Sequence, residues 1–242
     1  MKSVLNSLLL AASLLMCGSH AAADLTETLE IQEIQIVKQT DVRFPATMRS
    51  IGVKEGNVSL VIAVDQNGAL QDTFILKSSR NAFTKSALKS IGEWEFSPAS
   101  CNGTPINSAL RIDLSFRVDR KLTWQTFQAP METNVTRSSL EEKPITASLF
   151  GELDEIPLPI EIIEPEEVVE GNATIEFYID EMGSVRCPRL TNGSSLEFGQ
   201  TMLDTVALWR FEPPVAEGAR TNTMVRQTFT FANGRLTAAK AE

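Results

Sequence analysis

The chain has 242 residues, 43% hydrophobic and 22% charged, which is folded-protein composition with apolar material for one large core or two small ones. Lys and Arg number 22 against 31 Asp and Glu, a net charge of -9, so the basic footprint of a nucleic-acid binder is excluded.

Residues 1–23 read as a signal peptide. Lys2 supplies a single cation, Val4 to Cys17 an apolar run, and Ala21-Ala22-Ala23 a small-residue cleavage site before Asp24. Cleavage is expected after Ala23, with Ala21 as second choice. Two other fates stay open: lipidation of Cys17, against which stands the bulky Met16, and retention of residues 4–23 as an anchor of just spanning length. The expected location is the periplasm, with membrane contact only by one of those two routes. His20, the single histidine, leaves with the signal. The remaining chain then has no Ser-His or Cys-His nucleophile pair and no His-ligated zinc. Nucleophile elbow, phosphate loop and metal cluster are also missing from the sequence, so no catalytic, cofactor-binding or metal residues are expected and the protein reads as a non-enzyme. Cys101 and Cys187 form an even pair for which a disulfide is permitted in an oxidising compartment; two free thiols are the other reading.

After an N-terminal extension, residues 24–39, whose Leu29, Ile31, Ile34, Ile36 and Val37 suit either a short strand or a helix, an internal repeat begins. One structural option for the extension is pairing with an edge of the first copy. Gly56-Asn57 recurs as Gly171-Asn172, a shift of 115 residues that holds without a gap. Asp65 falls on Asp180, Gly68 on Gly183, Ser79 on Ser194, Trp94 on Trp209, Phe96 on Phe211, Pro98 on Pro213, Arg111 on Arg226 and Phe116 on Phe231. In the first copy Val58, Leu60, Ile62 and Val64 alternate with Ser59, Val61 and Ala63, which predicts a strand with one face buried. Ala173, Ile175, Phe177 and Ile179 repeat it. Each run stops at a turn closed by Gly68 or Gly183, and a second strand follows, Ala69 to Lys77 and Ser184 to Leu190. Pro188 removes an N–H there, so that strand is expected at a sheet edge or a bulge.

Phe83, Ala87, Leu88, Ile91 and Trp94 recur at helical spacing, matched by Phe198, Met202, Leu203, Val206 and Trp209. The helix start is signalled by Asn81 in one copy and by Ser194 with Glu197 in the other, and its end by Pro98 and Pro213. Beyond turns at Gly103 and Gly218 comes a third strand, in which Leu110, Ile112, Leu114 and Phe116 alternate with Arg111, Asp113, Ser115 and Arg117; Val225, Phe229 and Phe231 reproduce it. The expected fold class is α+β: two tandem small domains, each a three-stranded antiparallel sheet with a helix packed on one face, in ββαβ order. Domain 1 spans residues 40–118 and domain 2 residues 157–234. A polar linker, 119–156, and a C-terminal tail, 235–242, complete the chain. Ten acids against Lys143 between residues 140 and 170 read as a solvated acidic face, since no calcium-loop spacing is present.

These residues resemble the C-terminal domain of TonB. The likeness is carried by Phe44-Pro45, Gly56, Asp65 to Gly68, Trp94-Glu95-Phe96-Ser97-Pro98-Ala99, Gly103 and Phe116. The second copy carries it as Leu158-Pro159, Gly171, Asp180 to Gly183, Trp209-Arg210-Phe211-Glu212-Pro213, Gly218 and Phe231. The resemblance implies a protein-interaction module that binds an extended segment of an outer-membrane receptor, or similar, along the exposed edge of the last strand. In this sequence those edges are Ala109 to Val118 and Met224 to Phe231, with Arg111, Asp113, Ser115, Arg226, Thr228 and Thr230 as the partner-contacting residues; the alternative is that the two arginines are solvated strand residues. The apolar run lacks a Ser-x-x-x-His arrangement and no long Pro-rich spacer follows it, so a binding module is expected rather than a complete energy transducer. A structural or envelope-assembly protein, whose copies pair with each other or form a homodimer through the same edges, is the second expectation.

Overall fold

The computed structural model describes residues 28–118, 123–127, 145–165, 168–239 and 241. The signal, lipidation and anchor readings lie outside those residues. No helix among the described residues is long and apolar enough to cross a membrane.

The first repeat opens with helix α1 (Ala46–Ser50), then β1 (Glu55–Val64), β2 (Leu70–Ser78), helix α2 (Asn81–Ile91) and β3 (Ser108–Arg117). Two strands from the connecting segment follow, β4 (Thr123–Phe127) and β5 (Ile145–Ser148). The second repeat comprises β6 (Pro159–Glu161), β7 (Gly171–Ile179), β8 (Val185–Gly193), helix α3 (Leu196–Val206), β9 (Asn222–Ala232) and β10 (Arg235–Ala238). In both repeats the first long strand lies central and antiparallel to its two neighbours, β2-β1-β3 and β8-β7-β9. The expected α+β architecture is therefore present twice.

Matching residues make matching contacts. The Asp65 carboxylate accepts from the N–H groups of Asn67 and Ala69 at 2.8 and 2.9 Å, and Asp180 does the same for Met182 and Ser184 at 2.9 Å each. Gly68 and Gly183 both sit at φ +83°, and a Cβ on either would strike the carbonyl oxygen of Phe96 or Phe211, at 2.5 or 1.9 Å. Only glycine satisfies both the left-handed conformation and the close approach. The Trp94 indole N–H donates to the Thr40 carbonyl at 3.1 Å and that of Trp209 to the Ile163 carbonyl at 2.9 Å, so each tryptophan ties its repeat to the preceding lead-in.

Helix α2 starts at Asn81 as expected, whereas the cap of α3 and the ends of both helices differ from expectation. Ser195, not Ser194, caps α3, its hydroxyl accepting from the Phe198 N–H at 3.3 Å, while α2 starts after Arg80 without a side-chain cap. Ser79 and Ser194 serve instead as strand-to-loop ties, accepting from the N–H groups of Asn57 and Asn172 at 3.0 and 2.9 Å. The helices stop at Ile91 and Val206, well before the prolines, and the turns that follow fold Trp94 and Trp209 onto the cores.

Each sheet buries one face under its helix. Val58, Leu60 and Ile62 meet Phe83, Ala87 and Ile91 in the first core, and Ala173, Ile175 and Phe177 meet Phe198, Met202 and Val206 in the second. Burial of such side chains contributes about 1.5–3 kcal/mol each. The opposite faces are not solvated. Val61, Phe74, Leu76 and Ala109 of the first sheet join Tyr178 and Cys187 of the second in a third apolar cluster, so the two sheets pack on one another with their helices outside.

The connecting segment also joins the repeats. Residues Ile145–Thr146 of β5 pair antiparallel with β2, and Ala147–Ser148 pair parallel with β9. Among the described residues this gives one nine-stranded sheet in the order β8-β7-β9-β5-β2-β1-β3-β4, with β10 on β9. The stretch read as polar linker thus contains two strands, and the stretch read as a tail contains a third. The extension does pair with the first copy, at Glu95–Ser97 and Ala99–Cys101 rather than at the last strand.

Candidate protein-interaction site

The residues proposed to meet a partner lie on β3 and β9. Strand β3 does not offer an open edge along its centre: β4 pairs antiparallel with it, Arg111 opposite Phe127, Asp113 opposite Gln125 and Ser115 opposite Thr123. Strand β9 is covered in two portions, by β5 at Asn222–Thr223 and by β10 from Phe229 to Ala232. The expectation of two free last-strand edges is corrected for β3 along Arg111–Ser115 and for β9 at its two ends, while among the described residues no strand pairs with the outer side of β9 from Met224 to Gln227.

Arg111 and Arg226 occupy equivalent positions, opposite Val61 and Glu176 in the central strands. Their surroundings diverge. In the second repeat Glu176, 3% exposed, accepts from Arg226 Nε at 2.8 Å and from Arg189 Nε at 2.8 Å, and Arg189 also pairs with Glu33 of the extension at 3.5 Å. Arg226 is therefore bound to a buried carboxylate rather than directed at solvent. Arg111 instead pairs with Asp113 two residues along its own strand, at 3.3 Å. Thr228 shares a hydroxyl hydrogen bond with Thr174 at 2.8 Å. Ser115 is half-buried, and Thr230 is exposed, its carbonyl accepting from the Thr237 hydroxyl at 3.3 Å.

A second charged contact crosses between the repeats. Arg186 of β8 grips Asp72 of β2 with Nε at 2.8 Å and Nη2 at 2.5 Å, lies 5.2 Å from the centre of the Phe74 ring, and reaches Asp180 at 3.5 Å. Burial pushes the Asp72 carboxyl up, but the bidentate guanidinium and the Thr73 N–H outweigh it and hold the group below the usual carboxylate range. Hydrogen bonding to Asp72 raises Arg186 further. Burial dominates at Tyr178, pushing its phenol up to about 12 despite nearby arginines.

The cysteines are not bonded to each other. Cys101 is buried in the first core and Cys187 in the inter-sheet cluster, both as free thiols, which corrects the disulfide reading. Burial raises both thiols, Cys187 the more strongly. Cys187 sits at φ +48° where β8 slips register between Arg186 and Arg189, and with Pro188 it forms the bulge expected there on an edge strand. Among the described residues no group of three or more His, Cys, Asp or Glu side chains could hold a metal.

The duplicated frame is also where known proteins match. A family described as Gram-negative bacterial TonB protein C-terminal matches residues 40–118 and 166–232, more than half of the chain. The chain belongs to the TonB C-terminal family. Protein TonB of Vibrio cholerae serotype O1 (strain ATCC 39315 / El Tor Inaba N16961) is 30% identical over 82 residues, which is 34% of this chain and 33% of that protein. The chain thus matches about a third of the length of that curated relative. Both matched copies carry the Trp-x-Phe-x-Pro element, and the second match begins only after residues 157–165, the lead-in that holds β6.

Sequence reasoning missed Glu176, Arg189, Asp72 and Arg186. Their signal was available in the first repeat: Val61, Ala63, Phe74 and Ala109 place apolar side chains on the strand faces turned away from the helix, as strands covered on both faces do.

Proposed function

We propose that the protein is an exported, periplasmic interaction module of TonB type that takes an extended segment of an outer-membrane receptor, or a protein like it, by strand addition at β3. The observation that carries this reading is β4. It adds to β3 along Arg111 to Ser115, so the edge has both the backbone groups and the room for an added strand. A partner segment replaces β4 there, and Arg111, Asp113 and Ser115 provide side-chain choice. Family membership and the Vibrio relative named Protein TonB support the partner class.

The test is titration of the protein with synthetic peptides copied from the extended segments of outer-membrane receptors. Gln125→Pro, which weakens β4 by removing an N–H, is expected to tighten binding several-fold, and proline at Asp113 to abolish it. Binding that neither change alters would place the contact elsewhere and end the β3 reading.

One observation favours a second reading, an envelope-assembly protein whose repeats pair with each other. Strand β5 and the inter-sheet cluster already consume one face and one edge of each repeat within the chain. Sedimentation separates the two: a stable homodimer that binds no peptide supports the assembly role.

A further inference from the structure

The lead-in to the second repeat carries a surface that the fold does not use. Leu158, Ile160 and Ile162 are 60, 68 and 52% exposed within one extended stretch. Scattered exposed leucines are ordinary, but three large apolar side chains exposed within five residues of one strap are a local concentration. The strap is held in place rather than loose. The Glu212 N–H donates to the Leu158 carbonyl at 2.8 Å and the Trp209 indole to the Ile163 carbonyl at 2.9 Å, with β6 paired to Arg210–Phe211 between them. On its other side β6 has no partner strand among the described residues.

The first repeat carries the equivalent strap, Gln35–Lys38 paired with Glu95–Ser97 and followed by Thr40, whose carbonyl accepts from the Trp94 indole, but it is less apolar: Val37, 66% exposed, is its one exposed large hydrophobic residue. Beyond it the chain turns into α1, where Phe44 and Met48 pack on the first core, Phe44 edge-on to Phe83 at 5.3 Å. Both straps precede the residues matched by the family, and the second differs in its three exposed large apolar side chains. An apolar strap clamped at both ends and left uncovered has the form of a strand-addition edge.

Charge selects the occupant. From Pro144 to Val185 the sequence holds no Lys or Arg, and Glu155, Glu161 and Glu164 are exposed along the strap. Arg210 faces Glu161 across the strand pair, and among the described residues no ion pair involves Glu155 or Glu164. Two such straps repel each other, which disfavours a second copy, and an anionic lipid surface is disfavoured for the same reason. We infer that residues 158–163 are a docking edge for an extended segment of another protein in which apolar residues alternate with Lys or Arg. This site lies on the opposite repeat from the β3 edge and stands whether or not β3 takes a receptor segment.

The test titrates the full chain with a synthetic decapeptide alternating Val and Lys, followed by calorimetry. Saturable binding is expected, weakening with ionic strength and falling at least tenfold in the exposed variants Ile160→Asp and Glu161→Lys/Glu164→Lys. Glu55→Lys, which reverses an exposed acid on the first repeat, is expected to leave it unchanged. Ile162→Ser serves if the Asp variant fails to fold. Equal binding of a Val and Glu peptide, equal loss in Glu55→Lys, or retention of affinity in the strap variants overturns the proposal. So does a dimer that Ile160→Asp converts to monomer, since the occupant is then a second copy.

Discussion

The two repeats share a frame and differ in how they treat the sheet face opposite the helix. In the first, Val61, Phe74 and Leu76 make that face apolar; in the second, Glu176, Arg189 and Arg226 make it a buried charge cluster. Under the 115-residue shift Val61 corresponds to Glu176 and Phe74 to Arg189. Duplication conserved what closes hairpins and anchors the helix, and let the facing surfaces become complementary. A repeat that packs on its twin is free to change those residues only in pairs.

The sharpest break in this comparison is at Glu176. Glu176→Ala leaves two arginine side chains facing each other without their carboxylate and is expected to destabilise the protein by about 3 kcal/mol, measured by urea unfolding. Next come the equivalent glycines. A Cβ at Gly56 would lie 2.2 Å from the buried Phe83 ring, whereas at Gly171 the nearest contact is Ser195 Cβ at 3.0 Å. Gly56→Ala is expected to cost about 2 kcal/mol and Gly171→Ala under about 1 kcal/mol; equal costs would show that the two helices do not approach their sheets differently.

A smaller effect is expected from Arg186→Ala, which removes the clamp on Asp72 and loosens the sheet-to-sheet contact. Cys187 then reacts faster with a thiol reagent at neutral pH while Cys101, inside the first core, does not. Parallel acceleration of both thiols would mean that the repeats open as one unit. The smallest effect is on acid stability. Asp72 has a folded-state carboxyl held below its unfolded value, so its contribution is complete above the ordinary carboxylate range and is lost as pH falls through the lower folded value. Asp72→Asn is expected to flatten that part of the pH profile, and an unchanged slope would assign acid sensitivity to other carboxylates.

The frame was legible because its residues have local causes. Asp65 and Gly68, or Asp180 and Gly183, dictate a turn within four residues, and the helical spacing of Phe83, Ala87 and Ile91 needs no knowledge of distant chain. What escaped was set by the other repeat. Strand β5 is four residues in a polar stretch and acquires its pairing only when β2 and β9 are both present. Arg226 looks solvated until Glu176 of the neighbouring strand, buried in the fold, is seen to bind it. The same reasoning separates Ser194 from Ser195: two adjacent serines offer the same cap chemistry, and the strand-to-loop tie to Asn172 decides which one remains for the helix.

Strand β5 has a consequence for how the chain reaches its native state. Tandem repeats of similar sequence can exchange equivalent strands while folding and become trapped as mispaired forms. Because Ile145–Ser148 runs antiparallel to one repeat and parallel to the other, its two ladders have different hydrogen-bond patterns. A chain that exchanged β2 with its counterpart β8 would present the wrong edge to this segment. Four residues between the copies thus act as a proofreader of assembly, completing both ladders only when each strand has found its own repeat.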